Sequence, residues 1–277
     1  MDAENGAATK RVVIHEDDVG MTHGSNVAFA ELSASGALTC GSVMVPCPWF
    51  EEAADRFGAD PAYDLGVHLT LTSEKKGYRW RPLVAVSPAA GLTDGNGCFW
   101  PDVPSVRAHA DPAAVEDELT AQVDQALASG IDVTHLDAHM GTVLCPEFAA
   151  IYLRLGRRFR LPILLPRDIM AYNPTGYSGP LSRAPYDAVR DEAAAAGFDL
   201  FDSVPETPWD RTADAVTAYR AMFDGIGAGL TFLSLHFNAP GDFEVIEPAF
   251  AHIRTDEYAL FLSGATRAWA AELGLEP

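Results

Sequence analysis

The stretch Arg11-Val-Val-Ile-His-Glu-Asp-Asp-Val-Gly20 opens on β-branched apolar residues and ends on two adjacent carboxylates, Asp17 and Asp18, just before a glycine. A short β-branched run bounded by glycine reads as a buried strand. Chemistry in α/β folds sits where such strands exit. The same pattern recurs along the chain. Gly66-Val-His-Leu-Thr-Leu71 carries His68, and Val133-Thr-His-Leu-Asp-Ala-His-Met140 carries His135, Asp137 and His139. Leu230-Thr-Phe-Leu-Ser-Leu-His-Phe237 carries His236 near its end.

Between these runs lie amphipathic helical stretches. Helices are expected near Ser25–Ser35 (stopped by Gly36), Pro48–Phe57, Asp111–Ser129, Pro146–Phe159, Tyr186–Ala196, Asp210–Phe223 and Asp256–Leu273. Asp111-Pro112 is an N-cap followed by proline at the first helical position. Strands are expected at Val12–His15, Leu38–Val45, Asp64–Leu71, Val133–Met140 and Leu230–Phe237, with Pro162–Pro166 a further apolar segment and Leu200–Val204 a weak strand. About seven β-α units with near-continuous apolar strands imply a parallel sheet covered by helices. The fold class is therefore α/β: a single-domain β/α barrel, TIM-like and seven-stranded or distorted, with an open doubly wound sheet as the alternative. Residues 1–277 read as one domain. The rhythm breaks at about 72–110, a Gly- and Pro-rich insertion without helical period that carries Tyr78, Trp80, Phe99 and Trp100. Such insertions are usually functional loops. The four aromatics suit sugar stacking or a hydrophobic plug under the loop.

Composition narrows the function. The 277 residues carry a formal net charge of -20, which disfavours nucleic acid and anionic membrane surfaces as partners. The N-terminus, Met1 to Lys10, lacks the basic start and apolar core of a signal peptide, so a soluble cytoplasmic protein, with a homodimer an open option, is expected. Cys40, Cys47, Cys98 and Cys145 form no Cys-x-x-Cys pair and read as reduced, buried thiols. There is no Gly-x-Ser-x-Gly elbow and no Gly-rich phosphate loop.

What remains is carboxylate and imidazole, the ligands of a hydrolytic divalent metal. His135, Asp137 and His139 alternate on a strand and share one face. His139, nearest the exit, is the best ligand candidate. Asp137 is placed to orient an imidazole from behind the ligand shell. His135 lies deeper, where a supporting role competes with a direct one. Of Asp17 and Asp18, one can ligate while the other acts as base; the competing reading is a helix cap or turn. His236 is either an acid that protonates a leaving amine or a cap on the barrel interior. Arg167, just after Pro166, binds a catalytic carboxylate or substrate, or lies at the surface.

The ordered set His15-Glu-Asp-Asp-Val-Gly-Met-Thr-His-Gly-Ser-Asn26, Gly66–Leu71, Thr72-Ser-Glu-Lys-Lys-Gly-Tyr-Arg-Trp-Arg-Pro82, Gly97-Cys-Phe-Trp100, His135-Leu-Asp-Ala-His139 and Leu233-Ser-Leu-His-Phe237 resembles the YdjC-like carbohydrate deacetylases. The resemblance implies a β/α barrel that removes acetyl groups from N-acetylated sugars with one divalent metal ion, Zn2+ or Mg2+. It implies Asp18, His68 and His139 as metal ligands, Asp17 as general base, and His236 as a catalytic or substrate-binding histidine. The sequence departs from the family where Glu16 precedes the Asp pair, where Gly141-Thr-Val143 follows His139, and where Pro240-Gly241 is displaced from His236. Two rivals remain: a glycosidase or other amidase on the same barrel, which would work without metal in the glycosidase case, and a non-catalytic sugar-binding relative.

Overall fold

The computed structural model describes residues 9–58, 60–85, 87–172 and 176–277; most of the acidic N-terminal stretch, residues 1–8, lies outside them. Five parallel strands, β1 (Lys10–Val19), β2 (Cys40–Val43), β3 (Leu65–Leu69), β4 (Val133–Ala138) and β5 (Gly229–Leu235), are hydrogen-bonded in the order β4-β3-β2-β1-β5. A short β6 (Leu275–Glu276) pairs the start of β1. The path does not stop at β4. Parallel bridges join Leu136 to Ile163, Pro166 to Phe201, Ser203 to Thr231 and Glu206 to Ser234. The segments around 163–166 and 201–206 thus carry the sheet from β4 back to β5, and seven segments close the barrel. The open-sheet alternative is set aside.

Residues Val12 and Ile14 of β1 and Leu233 and Leu235 of β5 pack with Ala28, Leu32, Tyr219, Phe223 and Phe261 in an apolar layer under the helices. The alternate residues are polar and bond one another. His15, Asp17, Ser42, His68, Asp137 and Ser234 are all buried, and alternation along parallel strands puts them on the inner face. The register sets His15 beside Cys40 and Ser234, and His68 beside Asp137.

Local signals place the helices. Thr22 and Ser25 form a capping box at helix His23–Ala34. Asp111 accepts from the amides of Ala113 and Ala114 and opens helix Pro112–Ala128, a cap worth about 1 kcal/mol. The final helical stretch is two helices, Ala251–Leu262 and Ala265–Leu273, because Gly264 between them is left-handed (φ 84°). The segment 72–110 is not structureless. It holds helix Val103–His109, capped by Asp102, and backbone bridges Thr72 to Trp100 and Thr93 to Phe99. No helix among the described residues is long and apolar enough to cross a membrane.

Candidate metal centre and catalytic site

In a regular strand Asp17 and Asp18 would point to opposite faces. Here β1 ends on a register shift between Glu16 and Val19, and Asp18 has φ 65°. An Asp tolerates this left-handed conformation better than most side chains. The bulge turns Asp18 toward the same strand exits as Asp17, as bulges do beside active sites.

Three side chains converge there. Asp18 Oδ1 lies 3.1 Å from His139 Nδ1 and 3.5 Å from His68 Nε2. All three residues are buried, and their ligand atoms lie within 4.8 Å of one another. Asp18 Oδ1 makes no hydrogen bond, although a buried carboxylate oxygen without a partner is costly. The far nitrogen of each imidazole faces another carboxylate. His68 Nδ1 is 2.8 Å from Asp137 Oδ2, with Ser42 Oγ at 3.0 Å, and His139 Nε2 is 3.1 Å from Glu74 Oε2. With a cation beside Asp18, each ring would donate outward to its carboxylate and offer its other nitrogen to the ion, the carboxylate–histidine arrangement that orients metal ligands.

The electrostatics ask for a cation. Burial works against charge on His139, but Glu74 and Asp18 outweigh it and lift the imidazole to about 10. Burial would raise Glu74; His139 instead pulls it down to about 2. Burial would also raise Asp18, yet Arg254, His139 and His236 hold it well below the ordinary carboxylate range. A buried Asp-His-His set with a bare carboxylate oxygen fits a divalent ion.

Asp17 stands beside this group with both oxygens engaged. Oδ1 is 2.5 Å from His15 Nδ1, and Oδ2 accepts from Ser234 Oγ at 2.5 Å. His236 Nε2 is 3.7 Å from Asp17 Oδ2. Its Nδ1 faces Thr207 Oγ1 at 2.9 Å, and that hydroxyl donates to Glu257 Oε1 at 2.8 Å. The His236 amide also donates to Glu257 Oε2. Burial drives the His236 imidazole down to about 4. The Trp209 ring packs 4.7 Å from it.

Other expected residues are placed differently. His135 meets His15 rather than the three ligands, with Nε2 atoms 3.0 Å apart. Arg167 bonds Asp202 at 2.8 Å at the exposed surface, where that carboxylate takes its guanidinium. Trp80 is buried; its indole donates to Thr72 O and its ring lies 6.2 Å from the His139 ring, so it packs beside a ligand and offers no open stacking face. Trp100 donates to Gly91 O and stacks on His109 at 4.3 Å.

Sequence reasoning passed over Arg254, whose Nη2 donates to Asp18 Oδ2 at 2.8 Å, and Glu74 behind His139. It also passed over Glu206, at the end of the segment beside β5, which burial and the charge of Asp17 raise to about 7. An arginine in the penultimate helix and acids in loops carry no local pattern that marks them.

A sequence model of the YdjC-like protein family matches residues 11–272. The chain belongs to the YdjC-like family. A carbohydrate deacetylase of Thermus thermophilus is 41% identical over 165 residues, 59% of this chain and 57% of the relative. A carbohydrate deacetylase of Brevibacillus brevis is 30% identical over 156 residues, 56% of this chain and 59% of that protein. The match thus spans less than two thirds of these relatives. A crystal structure of an Enterococcus faecalis protein, one proposed to cleave cellobiose phosphate, superposes with a TM-score of 0.78 at 20% identity over 97% of both chains. This YdjC-like chain shares the fold of that protein.

Proposed function

We propose that the protein is a metal-dependent hydrolase that removes the acetyl group from an N-acetylated sugar or oligosaccharide. The observation that carries this reading is the bare Oδ1 of Asp18 facing His68 Nε2 and His139 Nδ1, with Asp17 alongside. The names of the related deacetylases support the same chemistry.

Asp18, His68 and His139 would hold the ion. When bound, a divalent cation there supplies Lewis acidity, polarising the amide carbonyl and making water a nucleophile near neutral pH. Asp17 accepts the proton of the attacking water; His15 and Ser234 fix its carboxylate so that one rotamer serves. His236 is neutral at rest. The Thr207 hydroxyl donates to Glu257, so its oxygen accepts from His236 Nδ1–H. That leaves Nε2 as a lone pair beside Asp17, able to take the proton and pass it to the leaving nitrogen as the C–N bond breaks. Acetate and the free amino sugar are the products.

The test is acetate release from N-acetylglucosamine and its short oligomers, by protein stripped with chelator and then reloaded with Zn2+ or Mg2+. Release that needs the ion and vanishes in Asp18→Asn supports the reading. Release that survives exhaustive chelation, or none with any ion loaded, overturns it.

A further inference from the structure

Below Asp17 the polar interior continues toward the N-terminal ends of the strands. His15 Nδ1 faces the Asp17 carboxylate at 2.5 Å, so that nitrogen carries hydrogen. His135 Nδ1 is 2.9 Å from Thr134 Oγ1, and that hydroxyl donates to Asp64 Oδ1, so its oxygen accepts from His135 Nδ1–H. Both rings therefore turn their Nε2 lone pairs toward the same point, 3.0 Å apart. Two lone pairs at that separation repel unless a proton or a cation lies between them.

A thiol lies alongside. The register of β1 and β2 sets Cys40 beside His15. The Cys40 sulfur and one ring nitrogen from each of His15 and His135 lie within 4.8 Å of one another. Cys40 is buried and unbridged. A Cβ at Gly66 would come 2.6 Å from His135 Nε2, so only glycine leaves the imidazole room to reach this place. His135 and Cys40 also border a cavity of about 710 Å3, walled by Val13, Leu164, Phe201 and Phe232, which gives the group its own approach from the N-terminal end of the barrel.

We infer that His15, His135 and Cys40 form a second cation site, separate from Asp18, His68 and His139, which takes a borderline or soft divalent ion such as Zn2+. Two imidazoles and a thiolate suit zinc or cobalt and disfavour magnesium. Asp17 and Thr134 hold the outer nitrogens as partners behind metal-bound histidines do. Three protein ligands leave one coordination position open, toward the cavity. On binding, the Cys40 S–H proton leaves to solvent and the sulfur binds as thiolate.

The experiment uses the whole chain, stripped and titrated with Co2+. Wild type is expected to bind two ions, one of them with an intense near-ultraviolet thiolate-to-cobalt band. Cys40→Ser, a conservative change, loses the band and one ion and keeps the other; His135→Gln does the same. Asp18→Asn loses the ion without the band and keeps the band, which separates this site from the deacetylase reading. Wild-type protein that shows no thiolate band, or a band that persists in Cys40→Ser, overturns the inference; the histidines then share a proton only.

Discussion

Arg254 Nη2 donates to Asp18 Oδ2 at 2.8 Å across 236 positions of sequence, with both side chains buried. The guanidinium also lies over Phe243, 4.5 Å from its centroid, and over Trp209 at 5.2 Å. It neutralises one oxygen of the carboxylate and leaves the other for a ligand. Removing one partner of a buried pair exposes the other's desolvation cost, about 3–5 kcal/mol. Arg254→Met should sit at the low end, because Asp18 can take up a proton. Thermal unfolding of chelated protein should show a drop of several degrees, partly recovered by excess metal. An unchanged midpoint would show that the pair does not hold the site.

Asp137 and Glu74 act through His68 and His139. Asp137→Asn keeps a similar shape but loses the charge that fixes the His68 tautomer. Metal affinity, read by competition with a chromophoric chelator, should fall about 10- to 100-fold. Turnover at saturating metal should fall less. Glu74→Gln should follow the same pattern. Equal affinity in both variants would remove these carboxylates from the account.

These two acids show what was legible in the sequence. Asp137 belongs to an alternating strand motif, so period two alone placed it with His139. Glu74 and Arg254 meet the site only because the barrel closes and the penultimate helix docks over it. The sixth barrel segment, 201–206, was weak for a related reason: Pro205 interrupts it, and only single bridges at Ser203 and Glu206 tie it to β5. The last helix was read as continuous because helical period does not show the handedness that Gly264 adopts. For Trp80 and Trp100 sequence left sugar stacking and a plug under the loop both open; their indole N–H groups are satisfied inside the loop they brace.

Asp17→Asn should retain metal and lose turnover. The amide cannot take a proton from water, and general-base catalysis contributes about 10²–10⁴-fold. The ion held by Asp18, His68 and His139 should be retained, since those ligands are untouched. Near-normal acetate release from this variant would assign the base elsewhere.

Glu206 gives the pH prediction. Burial and the nearby Asp17 charge raise its carboxyl to about 7 in the folded chain, above the unfolded value of about 4.3. A group raised on folding contributes stability that is fully present below its unfolded value and is lost as pH rises through the folded one. The contribution should therefore fade between about pH 4.3 and 7. Glu206→Gln has no charge to bury. Its melting temperature relative to wild type should be higher at pH 8 than at pH 5, with the change falling inside that window. Differences that stay flat from pH 5 to 8 would mean that Glu206 ionises as freely in the folded protein as in the unfolded chain.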